Sequence, residues 1–232
     1  MDYSSVYKKV NNSIVNVVFQ QGPKSWSTGT GVLIDDGSKI LTCAHCVGMT
    51  QQNFIFDRTT QKPIPVSLFF YGNPNIASQD IAILQASSVL GSGVDIKHSA
   101  NMEIGNEVFT IGFPYTITSE KTLTSGNIAA FERGLIKIDT SVNNGNSGGP
   151  LFNCSGEIIG IVNAKLGSLS DFLDSVEKTQ TNITISMGGI DAIETIKQML
   201  KEMKRNLNLG IGYAVPTDTI ANNIPFIKSI IK

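Results

Sequence analysis

The chain has 232 residues, of which 41% are hydrophobic and 16% charged, with a formal net charge of −1. A chain of this length can bury a substantial core within one domain. A near-neutral balance offers no basic face to nucleic acid or an anionic membrane, and apolar stretches are broken by Gly, Pro or charge short of the ~20 residues of a spanning helix.

Taken in order, the N-terminus Met1-Asp2-Tyr3-Ser4-Ser5 lacks the basic-then-apolar order of a secretory signal. Tyr3 to Val10 reads as a short helix, followed by a first strand at Ile14 to Phe19. Gly31 to Ile34 and Lys39 to Thr42 flank the hairpin signal Asp35-Asp36-Gly37. Further strands are predicted at Pro65 to Phe70, Ile81 to Leu84, Glu107 to Ile111, Thr122 to Phe131, Leu135 to Asp139, Ile158 to Val162 and Gly212 to Val215. Many short strands between Gly, Asn and Pro turns indicate an all-β sandwich or barrel. One stretch departs from this: from Gly189 to Leu207 apolar residues recur at helical spacing (Ile190, Ile193, Ile196, Leu200, Met203, Leu207), predicting an amphipathic helix.

The chemistry begins at Gly145-Asn146-Ser147-Gly148-Gly149. A serine among glycines sits in a tight turn where backbone N–H groups converge, since glycine adopts positive φ without a Cβ clash. The N–H groups of Gly145 and Ser147 are candidates for an oxyanion hole spanning Gly145, Asn146 and Ser147. A serine hydroxyl needs a base, and the chain has two histidines. His45 follows the strand Ile40-Leu41-Thr42, whereas His98 lies in a polar stretch and reads as a solvated loop residue. Asp80, immediately before Ile81-Ala82-Ile83-Leu84, is the candidate carboxylate to orient the imidazole.

Zinc ligation by Cys43, His45 and Cys46 is not expected: strand alternation puts Cys46 on the opposite face from the other two, and no fourth ligand is near. No metal and no cofactor are expected. With Cys154, the three cysteines cannot all pair, and together with the N-terminus this predicts a reduced, cytoplasmic protein, with export after removal of a signal as the competing reading.

Seven segments in order resemble the trypsin/chymotrypsin superfamily, and within it the HtrA/Deg-like group. They are Thr28 to Ile34, Leu41 to Val47, Asp80 to Leu84, Ile111 to Pro114, Asp139 to Leu151, Gly156 to Val162 and Gly210 to Pro216. The order His, Asp, Ser is that of the chymotrypsin group. The resemblance implies two six-stranded antiparallel β-barrels, about 14–115 and about 120–216, in a single protease domain. Two departures from the pattern are expected: a helical insertion at about 168–208, and no PDZ domain where HtrA-like proteins usually append them, so the sequence is either a stand-alone protease or a trimmed domain. The resemblance further implies a serine endopeptidase in which His45 is general base and acid, Asp80 orients it, and Ser147 forms the acyl-enzyme. By the family pattern Ser141 lies at the base of the substrate pocket, with Asn163, Ala164, Lys165 and Ile211 on its walls. A small or medium apolar P1 residue is the first expectation.

Asn146 stands where secreted trypsin-type zymogens carry an aspartate, so activation by a newly cut N-terminus lacks its anion. Protein or peptide substrates are expected, with a regulatory partner at the insertion a further possibility. The competing readings are a non-catalytic binding or chaperone-like module on the same fold, and an esterase or acyltransferase using the same residues. Activity is expected to fall as pH drops through a His45 pKa of about 6.5–7.

Overall fold

The computed structural model describes residues 2–22, 25–50, 52–56, 62–114, 120–164, 186–187, 190–191, 193, 195–199 and 210–232. Six strands close the first barrel: β1 (Ile14–Gly22), β2 (Ser25–Ile34), β3 (Lys39–Thr42), β4 (Asn53–Phe56), β5 (Pro63–Tyr71) and β6 (Ala82–Gln85), in the order β1-β2-β3-β6-β5-β4. Six more close the second: β7 (Glu107–Gly112), β8 (Thr122–Glu132), β9 (Leu135–Ile138), β10 (Pro150–Asn153), β11 (Ile158–Val162) and β14 (Gly212–Pro216), in the order β10-β11-β14-β9-β8-β7. β12 (Ser186–Met187) and β13 (Ile190–Asp191) form a separate pair. All ladders between named strands are antiparallel, so the fold is the chymotrypsin-like pair of barrels.

Helix α1 (Ser4–Val10) precedes β1, while α2 (Thr217–Asn223) and α3 (Pro225–Ile230) close the chain. Asp35 at φ 58 and Gly37 at φ 84 make the β2–β3 turn, and Ser38 ties it by donating through N–H and Oγ to Asp36 Oδ1.

The strands are apolar on both faces because both faces are buried. Leu33, Ile40, Ala82 and Leu84 point into the first barrel. Their neighbours Val32, Leu41, Ile81 and Ile83 join Phe109, Ile111, Phe152, Ile161 and Val215 in the seam between barrels. Val108, Ile136, Ile138, Leu151 and Val162 fill the second barrel. Runs such as Ile81-Ala82-Ile83-Leu84 therefore lack the alternation of a sheet with one wet face, and the seam fixes how the barrels meet.

Within the barrels β4 and β10 escaped the sequence reading, as did β12 and β13 outside them. β4 and β10 have four residues each, and β10 opens on Pro150, which a strand tolerates at its first position. Most of the predicted insertion and helix, 168–208, lies outside the described residues. Of the expected apolar face, Ile190 falls in the strand β13 rather than in a helix, Ile193 is half-buried and Ile196 is 56% exposed. Helical backbone is assigned at 193 and 195–199.

His98 is a half-exposed loop residue, but it is also paired. Its Nδ1 pairs with Asp218 Oδ1 at 2.5 Å, while Ser99 Oγ and Ala100 N–H donate to Asp218 Oδ2 at 2.8 and 2.7 Å. This clasp anchors α2 to the segment that leads into β7.

Candidate active site

β3 and β6 are neighbours in the first barrel, with Thr42 opposite Ala82. The chain leaves β3 into a 3-10 turn, Ala44–Cys46, and enters β6 from another, Ala77–Gln79. His45 and Asp80 thus lie just beyond one end of two paired strands. Asp80 is 1% exposed, and its Oδ2 sits 2.5 Å from His45 Nδ1. A carboxylate only accepts, so Nδ1 carries the shared proton and Nε2 is left as the basic nitrogen. The backbone N–H of His45 donates to Asp80 Oδ1 at 2.9 Å, and Asn163 Nδ2 donates to Asp80 Oδ2 at 2.9 Å. Three donors hold the carboxylate in place.

Ser147 reaches the same cleft from the loop between β9 and β10 and is buried. Its carbonyl oxygen lies 3.4 Å from the Cys46 sulfur, which seats the serine against the residue next to His45. Its Oγ accepts the Ala164 N–H at 3.0 Å and, among the described residues, makes no hydrogen bond to the imidazole. The hydroxyl proton is thus free to turn, and such contacts commonly close when substrate arrives.

The loop itself is a tight turn. Asn146 N–H donates to Asn143 O at 3.0 Å, and Gly145, third of the four residues, has φ 96 while Asn144 has a negative φ. That is the type II turn, which favours glycine at its third position. Gly148 has φ 84, and a Cβ there would lie 2.1 Å from Thr42 Oγ1 and 2.2 Å from Thr30 O. Among the described residues, the N–H groups of Gly145 and Ser147 have no acceptor.

The imidazole is more basic than expected. Burial disfavours its charged form, but negative charge on the Cys46 sulfur and the Asp80 hydrogen bond outweigh burial and raise the His45 pKa to about 9. Cys46 in turn is held down, to about 6, by the hydrogen bond from Cys43, against burial and with help from the His45 charge. Burial pushes the Cys43 thiol well up.

The two sulfurs correct the alternation argument. The 3-10 turn interrupts the strand after Thr42, so Cys43 and Cys46 meet on one side. Cys43 Sγ, His45 and Asp80 bring potential ligand atoms within 4.8 Å of one another. A zinc ion, with ligands at about 2.0–2.3 Å, would have to displace the proton between His45 and Asp80. Cys43 Sγ also lies 3.3 Å from Val162 O.

Among the expected pocket residues, Asn163 turns its amide to Asp80 rather than to open space. Nothing in the sequence marks that role, because it depends on β11 meeting the first barrel across the seam. Ser141 and Ala164 are half-buried and Ile211 is 44% exposed. Lys165 lies outside the described residues.

Residues 29–161 match the trypsin-like peptidase domain family. A probable periplasmic serine endoprotease, DegP-like, of Hahella chejuensis is 31% identical over 61% of this chain and 31% of its own length. The HtrA-like serine protease of Staphylococcus aureus (strain USA300) is 27% identical over 71% of the chain and 25% of its own length. The chain spans less than a third of the length of these curated relatives. Among solved structures, the HtrA-type protease AlgW with tripeptide superposes with TM-score 0.66 at 21% identity, over 94% of this chain and 60% of that one. The serine endoprotease from Yersinia pestis gives 0.64 at 24% identity, over 98% and 66%; at these identities the likeness shows the fold.

The cytoplasmic expectation is overturned. Similar relatives from Hahella chejuensis, Pseudomonas fulva and Halomonas elongata are named periplasmic. Cysteine content reports whether disulfides stabilise a fold, and a chain with two apolar barrels has no need of them in any compartment. With 133 consecutive positions matched and the barrels closed as the family requires, the chain belongs to the trypsin-like peptidase family.

Proposed function

We propose that this chain is an HtrA-type serine endopeptidase acting on protein or peptide substrates. His45 takes the Ser147 proton as Oγ attacks the peptide carbonyl, and Asp80 orients the ring and stabilises its charged form. The N–H groups of Gly145 and Ser147 receive the oxyanion. His45 then protonates the leaving amine, and water releases the acyl group by the reverse route. The observation that carries this reading is the buried Asp80 carboxylate bonded to both the ring and the backbone of His45.

A small or medium apolar P1 side chain suits a pocket with Ser141, Ala164 and Ile211 at its border. An exported site of action fits the periplasmic names of the relatives. The single-domain organisation, and a regulatory partner at 168–208, belong to the same proposal; the exposed Ile196 and Met199 support the latter. Fluorophosphonate labelling and peptide hydrolysis, compared between wild type and Ser147→Ala, test the assignment. Both are expected to vanish in the variant; labelling that persists refutes Ser147 as nucleophile.

A further inference from the structure

Thr30 lies on β2 in the first barrel, is fully buried, and bears no part of the His, Asp or Ser motifs. Yet it grips the nucleophile loop of the second barrel at two points. Its backbone N–H donates to Ser147 O at 2.8 Å, and its hydroxyl lies 2.7 Å from Gly145 O. The direction of the second bond is settled by a third. Thr30 Oγ1 accepts the Phe113 N–H at 3.0 Å, so its single proton is free to go to the Gly145 carbonyl. Thr30 O is taken as well, by Thr42 Oγ1 at 2.7 Å.

The clamped groups alternate with the free ones. Gly145 O and Ser147 O are fixed to Thr30, while the N–H groups of Gly145 and Ser147 have no acceptor among the described residues. A type II turn converts to type I by rotating its central peptide, here Asn144–Gly145, through about half a revolution. Glycine at the third position accepts either state. Sequence at the turn therefore does not choose, and a rotated peptide would turn the Gly145 N–H away. The carbonyl that swings in this rotation is Asn144 O; Thr30 holds the next one, Gly145 O, and so fixes the peptide plane against which the Gly145 N–H is set.

We infer that Thr30 is a positioning residue for the reaction: from the first barrel it clamps the carbonyls of Gly145 and Ser147 and so keeps their N–H groups available to the oxyanion. This rests on the peptidase reading above. Thr30→Val removes the hydroxyl at constant shape, and Thr30→Ser keeps it. With a chromogenic peptide, Thr30→Val is expected to lose about 10- to 100-fold in kcat with KM within about twofold, less than the 10²–10³ for deleting an oxyanion donor outright. Thr30→Ser is expected to stay within about threefold. If Thr30→Val lacks the native circular dichroism spectrum, Thr30→Ala replaces it. A merely structural role would lower the melting temperature and spare the kcat of the folded fraction.

Wild-type kcat in a folded hydroxyl-less variant, or a loss in Thr30→Ser as large as in Thr30→Val, overturns the inference and leaves the peptidase reading standing. Wild-type protein that neither labels with fluorophosphonate nor cleaves peptide overturns both.

Discussion

The amide of Asn163 donates to the Oδ2 of Asp80 across 2.9 Å, linking the end of the second barrel's β11 to the carboxylate of the first. Removing this donor leaves a buried carboxylate short of a partner, at a cost of about 1–3 kcal/mol. Asn163→Ala is expected to lower kcat/KM about tenfold. Asn163→Asp sets a second carboxylate beside Asp80, one of the pair must take up a proton, and the expected loss at neutral pH exceeds about a hundredfold. Steady-state kinetics check both; equal values for the two variants would contradict the role given to this amide.

The His45 pKa is raised from 6.5 to about 9 in the folded state. Catalysis needs the neutral ring, so kcat/KM should climb through the alkaline range rather than level off near neutrality. Cys46→Ser removes the ionisable sulfur and should shift this limb to lower pH. A limb unmoved by that substitution rules out the sulfur as a cause.

Stability should respond with the opposite slope. A raised folded-state pKa favours the protonated form, so the contribution of His45 is complete below pH 6.5 and is lost as pH rises toward about 9. The melting temperature of wild type relative to His45→Gln should fall over that interval while turnover rises. Parallel pH curves for the two proteins would exclude this linkage.

Gly148→Ala combines a positive φ with a Cβ placed 2.1 Å from Thr42 Oγ1 and 2.2 Å from Thr30 O. Strain and overpacking together are expected to cost about 2–5 kcal/mol. Denaturant unfolding measures this directly, and a variant as stable as wild type would show the nucleophile turn to be far more pliant than its packing indicates.

Asp218→Ala provides the contrast. It deprives His98, Ser99 and Ala100 of their shared acceptor, with an expected loss of about 1–3 kcal/mol. The clasp lies apart from the His45–Asp80 pair, so kcat should remain within about twofold of wild type. A lower midpoint with intact kinetics is the expected signature.

Much of the site was legible because its chemistry sits in short local words. His45 follows a strand, Asp80 precedes one, and Ser147 stands among glycines whose positive φ the structure uses. The barrel strands were legible from their apolar runs, apart from β4, where Asn53 opens the run, and β10, which opens on Pro150 directly after the glycine turn. What escaped depends on contacts distant in the chain. Asn163 meets Asp80 from 83 positions away, Thr30 meets Gly145 from 115, and His98 meets Asp218 from 120. The sulfur pair escaped for a local reason, since the turn at Ala44–Cys46 ends the strand geometry on which alternation relies.

The seam between the barrels also sets when the chain becomes a hazard to its neighbours. The proposed base, His45, and its carboxylate, Asp80, belong to the first barrel, and Ser147 to the second, which the first must grasp through Thr30. A nascent or half-folded copy therefore holds all the makings of a protease in harmless pieces. On the proposed peptidase reading, cutting power arrives only when the second barrel docks on the first, so the fold itself delays self-destruction until both barrels are made.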